Sequence, residues 1–295
     1  MDYARLLDRI KGGLYGVAIG DALGGTTEFM TANEIKRQFG SLTEIVGGGV
    51  WRLAPGEVTD DTMMTLCVAE GILANPESPM AAIGDRFLAW YASNPKDIGI
   101  IIRHVLGSYD GDWFEAAFLA DMELGRSAGN GSLMRCLPVG LAYARLEDIE
   151  RVSVMQSRMT HYDERCDQTC VAYNRIVFRL LHGEDLRQAI RAEIAGTEFE
   201  SALVAEPRCE PSGFIVHSWK WALHHAYNAD SFEDVVQRAA NHGGDSDTIG
   251  AIAGGLAGVF YGFSRLPQRY CEAILVRDHL DDVAERLSAL RNSWL

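Results

Sequence analysis

Four glycines, Gly12, Gly16, Gly20 and Gly24, stand four residues apart near the start of the chain, and Gly250, Gly254 and Gly258 repeat the interval near its other end. In a helix this spacing puts each set on one face. A glycine inside a helix costs about 1 kcal/mol relative to alanine, so a repeated stripe implies a compensating gain such as close approach by another helix. The two segments are expected to form the tightly packed centre, with packing rather than ligand contact as the role of these glycines. Apolar residues elsewhere also recur at helical spacing, as in Met64, Val68 and Ile72 or in Val171, Ile176, Leu180 and Leu181. Only a short segment around Leu42 to Val46 reads as extended, and no strand–helix alternation of the kind that builds a parallel sheet is visible. The expected fold class is all-α, an orthogonal multi-helix array. No Pro/Ser-rich linker, charge block or low-complexity segment divides the sequence, so residues 1–295 read as one domain.

Composition narrows the partners. Apolar residues make up 47% of the chain, enough for a substantial core, and a mean hydropathy of -0.05 is ordinary for a globular protein. The formal charge of -14 repels nucleic-acid phosphates, and no basic stripe with interleaved aromatics offsets it. Six cysteines without a C-x-x-C pair point to reduced, packed thiols, Cys166 and Cys170 included. Met1-Asp2-Tyr3-Ala4-Arg5 lacks the layout of a secretory signal, and the small-apolar run Ile249 to Phe263 is too short and too glycine-rich for an integral membrane span. A cytoplasmic monomer is the expectation.

Two acidic clusters carry the chemistry. Gly56-Glu57-Val58-Thr59-Asp60-Asp61-Thr62 runs directly into a helical pattern, and Asn241-His242-Gly243-Gly244-Asp245-Ser246-Asp247-Thr248 does the same far downstream. Thr and Asp cap helices, and capping alone explains one acid at such a place. Consecutive acids flanked by hydroxyls repel one another unless a cation screens them. Oxygen donors of this kind suit Mg²⁺ or Mn²⁺ and suit Zn²⁺ poorly. A third element, Gly129-Asn130-Gly131-Ser132-Leu133-Met134-Arg135, is either an ordinary Asn-Gly turn with a serine cap or a turn whose amides cradle a diphosphate.

Together with Gly20-Asp21-Ala22-Leu23-Gly24, these motifs occur in the order seen in ADP-ribosylglycohydrolases, and the resemblance covers nearly the whole chain. It implies a hydrolase that removes ADP-ribose from a modified protein side chain. By that resemblance, Thr59, Asp60, Asp61, Asp245, Asp247 and Thr248 are the ligands of two divalent cations, Mn²⁺ first and Mg²⁺ second. Asp97, in Pro95-Lys96-Asp97-Ile98-Gly99, is the implied carboxylate beside the scissile nitrogen, with a plain helix cap as its other reading. Glu28 is implied as a base or gate, or as support for metal-bound waters. Asn130, Gly131 and Ser132 are implied phosphate binders, His161 is a weaker binding candidate, and Asp21 is read as structural. The sequence is most similar to the bacterial branch acting on arginine in dinitrogenase reductase, the iron protein of nitrogenase. That branch also implies a nitrogen-regulatory signalling protein as partner and recruitment to the membrane periphery through it. Two competing readings are a catalytically silent ADP-ribose-binding protein and, with a poorer motif match, a Mg²⁺-dependent helical diphosphate enzyme of isoprenoid type.

Overall fold

The computed structural model describes residues 2–294, which form sixteen α-helices and two short 3-10 turns. The all-α expectation is met. Among the described residues there is no strand, only isolated bridges such as Thr31 with Gly243 and Gly129 with Phe214. The extended segment expected around Leu42 to Val46 is not a strand. There the Asn241 carboxamide replaces a strand partner, accepting from the Leu42 N–H at 2.7 Å and donating to its carbonyl at 2.8 Å.

At the centre lie the two glycine-striped helices, Tyr3–Gly24 and Ser246–Tyr261. Their stripes meet in opposite directions: a Cβ added to Gly12, Gly16 or Gly20 would lie 2.4, 2.1 or 2.0 Å from the carbonyl oxygen of Gly258, Gly254 or Gly250. At Gly24 the corresponding neighbour is the Ser246 carbonyl, at 2.3 Å. Nearly every residue from Gly12 to Gly24 and from Ser246 to Val259 is buried, as expected for helices surrounded on all sides. This zipper brings the end of the first helix against the acidic start of the other. A third helix, Asp60–Ala74, buries Met64, Val68 and Ile72 in the same core. None of the helices among the described residues is long and apolar enough to cross a membrane.

Candidate active site

The starts of the helices Asp60–Ala74 and Ser246–Tyr261 converge, and neither acidic cluster is consumed by capping. Thr59 and Asp245 occupy the N-cap positions without a side-chain cap bond. Asp21, fully buried on the first helix, anchors one cluster by accepting from the Thr59 and Thr62 N–H groups and from both hydroxyls. Between the clusters, the Thr248 hydroxyl lies 3.4 Å from Asp61 Oδ2, and the Thr59 hydroxyl lies 3.2 Å from the same oxygen.

A cavity of about 780 Å³ opens over this junction. Glu28, Asp60, Asp97, Asn130, Gly131, His161, Asp245, Asp247 and Thr248 line it, whereas Thr59, Asp61 and Ser132 do not. Ser132 is buried against Cys170, 3.6 Å from its sulfur, so its hydroxyl is part of the packing beneath the turn. Asn130 lines the cavity, but its amide donates to Asp245 at 2.5 Å and to Ser218 at 2.8 Å, which orients the acid. Asp97 does not cap a helix: the next helix, Ile100–Ser108, begins with Gly99 at its N-cap, and the Gly99 N–H donates to Asp60 at 3.1 Å.

His161 packs against the glycine turn, where its ring atoms lie 3.1 Å and 3.2 Å from where side chains at Gly129 and Gly131 would begin. Burial and the nearby Arg135 push its pKa down to about 3, so the ring is neutral. Arg135, itself buried, donates to the Thr160 hydroxyl, which lies 2.8 Å from His161 Nδ1. Arg offers only donors, so the hydroxyl accepts from it, and the direction of the Thr160–Nδ1 bond follows the tautomer of the neutral ring. Sequence reasoning missed Arg126 and Arg165, which also line the cavity beside the Gly129 turn. Arg165 is paired with Asp163 at 2.7 Å and sits over the Phe214 ring. The cleft is thus acidic at the helix starts and mixed in charge along the turn, where Arg126 and Arg165 are accompanied by Asp121 and Asp163.

The acidic end fits a cation. One oxygen each of Glu28, Asp97 and Asp247 lies within 4.8 Å of the other two, and Asp61 Oδ1 is buried without a hydrogen-bond partner. Burial is the largest cause raising these carboxyls and their mutual repulsion adds to it, taking Glu28 and Asp60 to about 7 and Asp97 to about 9. Asp21 is raised to about 6 by burial, against the hydrogen bonds it accepts. Hard divalent ions match an all-oxygen donor set of this charge.

A pH dependence follows. In metal-free protein these groups hold protons that the unfolded chain has released, so the folded state binds more protons between the ordinary carboxylate range near 4 and the raised values of 6 to 9. Their contribution to stability is fully present below that window and is lost as pH rises through it. Calorimetry in chelator should show the melting temperature falling from pH 5 to pH 9, with Mn²⁺ reversing the fall. A flat or rising profile from these groups would contradict the uncompensated acidic cluster.

Comparison with known proteins agrees with this geometry. The family model described as ADP-ribosylglycohydrolase matches residues 2–294. ADP-ribosyl-(dinitrogen reductase) glycohydrolase of Rhodospirillum rubrum is 36% identical over 262 residues, covering 88% of each chain. ADP-ribosylarginine hydrolase Tri1 of Serratia proteamaculans is 29% identical, covering 95% of this chain and 79% of its own. A solved chain titled ADP-ribosylglycohydrolase-related protein complex superposes with a TM-score of 0.84 at 31% identity, over 98% of this chain and 99% of that one. With the family model spanning the helices, both acidic clusters and the glycine turn, the chain belongs to the ADP-ribosylglycohydrolase family.

Proposed function

We propose that this hydrolase cleaves the N-glycosidic bond between ADP-ribose and an arginine guanidinium of a protein, with dinitrogenase reductase as the target. The observation that carries the reading is the close meeting of Glu28, Asp97 and Asp247 in a cleft whose other margin offers Arg126 and Arg165 beside the glycine turn. The names of the two relatives, one an ADP-ribosyl-(dinitrogen reductase) glycohydrolase and the other an ADP-ribosylarginine hydrolase, support arginine and the nitrogenase protein. We also read residues 1–295 as one functional domain, since the acidic end of the cleft is built from segments near both ends of the sequence.

Thr59, Asp60, Asp61, Asp245, Asp247 and Thr248 would hold two divalent cations, preferably Mn²⁺. When bound, such a pair supplies Lewis acidity to the ribose diol and to the attacking water. The remaining work belongs to the chain. His161, the backbone of the Gly129 turn, and Arg126 and Arg165 bind and orient the diphosphate. Glu28, held by the Trp51 indole N–H at 2.5 Å, takes the proton from the attacking water. Asp97, which lines the cleft within reach of Glu28 and Asp247, donates a proton to the departing nitrogen, so that the guanidine leaves as its cation.

The direct test is release of free ADP-ribose from an ADP-ribosyl-arginine protein in the presence of Mn²⁺. Binding of ADP-ribose without release would favour the silent binding protein, and turnover of prenyl diphosphates alone would sink the proposal. Asp97→Asn should lower kcat about a hundredfold while leaving the Kd for ADP-ribose within about twofold. Normal kcat in that variant would remove Asp97 from the chemistry.

A further inference from the structure

Beside Glu28 the cleft wall holds a residue whose backbone and side chain both run against what folding alone would select. Phe29 has φ 62, in the left-handed region that glycine or asparagine adopts more readily, yet its ring is 66% exposed. An exposed ring returns little burial energy, so the fold gains little from keeping a phenylalanine there. The conformation is nevertheless held firmly. The Phe29 N–H donates to the Gly244 carbonyl at 2.7 Å, and the Gly244 N–H donates to the Met30 carbonyl at 2.9 Å, strapping the segment to the loop that starts the second acidic cluster. Strain maintained in this way at a cleft is a mark of function.

The ring has an aromatic partner in the cleft. Trp51 stands edge to face with Phe29, their centroids 6.4 Å apart, and both side chains line the cavity. Trp51 is carried on a loop whose Gly47, Gly48 and Gly49 all have positive φ, and its indole N–H is bonded to Glu28. Aromatic faces beside carboxylates match one chemistry above others, a flat, weakly hydrated cation.

We propose that Phe29 and Trp51, packed edge to face, form a one-sided aromatic clamp whose open ring face receives the cationic, planar leaving group, on the guanidinium side of the scissile bond rather than the ADP-ribose side. This rests on the reading of the cleft as an ADP-ribosyl-arginine hydrolase site and assigns its specificity to two residues. Trp51 also holds Glu28, but of the reacting groups Phe29 touches only the leaving group and takes no part in proton transfer, so its loss acts on KM more than on kcat.

The test compares wild type, Phe29→Gly and Phe29→Tyr by steady-state kinetics on ADP-ribosyl-arginine, by calorimetric Kd for ADP-ribose, which lacks the leaving group, and by Tm. Phe29→Gly should raise KM about tenfold, with Kd for ADP-ribose within about twofold of wild type and Tm unchanged or higher. Phe29→Tyr, which keeps the aromatic face, should restore KM. Weaker ADP-ribose binding in parallel with KM would move Phe29 to the nucleotide side and overturn the clamp, as would failure of tyrosine to restore KM. If wild type hydrolyses ADP-ribosyl-arginine and Phe29→Gly keeps its KM, the clamp alone is overturned. If wild type does not act on ADP-ribosyl-arginine, the parent reading fails and takes the clamp with it.

Discussion

Asp247→Asn is expected to lower ADP-ribose release about a thousandfold and, at the same time, to raise the melting temperature of the metal-free protein by a few degrees. Asp247 is buried at the first turn of the helix Ser246–Tyr261. Its carboxyl is pushed well above the usual range by burial first, then by Glu28, Asp61, Asp245 and Asp97. Asparagine keeps the shape and the acceptor for the Thr248 N–H, 2.8 Å away, but removes a carboxyl that burial and the repulsion of its neighbours force to take up a proton in the metal-free fold. Relief of that repulsion is a stabilisation of about 1 kcal/mol, worth a few degrees in a chain of this size. Loss of an anionic cation ligand forfeits several kcal/mol of transition-state stabilisation, which is a factor of about a thousand in rate. Turnover with saturating Mn²⁺ and calorimetry in chelator check the two halves separately. Full turnover would defeat the ligand assignment, and lost turnover with a lower melting temperature would make Asp247 a structural residue.

Gly20→Ala should be among the most destabilising single substitutions in the protein, lowering the melting temperature by about 10 °C. The new Cβ would stand 2.0 Å from the Gly250 carbonyl oxygen and 2.3 Å from its carbon, a backbone obstacle that no rotamer change relieves. The two helices would have to separate along their length, which places the cost at about 3–5 kcal/mol, at the upper end for overpacking. Gly196→Asn is the control, because Gly196 has positive φ and open space around it, and asparagine tolerates that conformation. Gly12→Ala should destabilise to a similar degree, since its Cβ would meet the Gly258 carbonyl at 2.4 Å, but should retain more activity because Gly12 lies at the end of the zipper away from the acids. Near-normal melting in Gly20→Ala would contradict the close approach.

The zipper was legible because glycine at a four-residue interval admits few explanations once a helix is assumed. Both acidic clusters were legible for a related reason: adjacent acids at a helix start are unfavourable without a cation, whatever the fold. What escaped was information carried by long-range partners. Nothing local to Asn130 indicates that its amide serves Asp245, 115 positions away. Arg126 and Arg165 look like any solvated cations until the turn beside them is seen to line a cavity. Trp51 sits in a glycine-rich loop without periodicity, so its bond to Glu28 could not be inferred from spacing. The Leu42 to Val46 segment forms no strand because its backbone is satisfied at Leu42 by one well-placed carboxamide in place of a neighbouring strand.

The helix zipper also sets the timetable of the protein's birth. Gly24 and Ser246, which close its acidic end through a 2.9 Å hydrogen bond, are 222 residues apart in sequence. At a synthesis rate of roughly 5–20 residues per second, the first helix waits about 10–45 s on the ribosome before its partner emerges. Its glycine stripe stays uncovered for that interval, and although Asp21 meets Thr59 and Thr62, 38 and 41 residues on, the acidic site cannot be completed earlier. A ribosome that stalls before the second stripe therefore releases a fragment without catalytic capacity, so that hydrolysis becomes a property only of nearly finished chains.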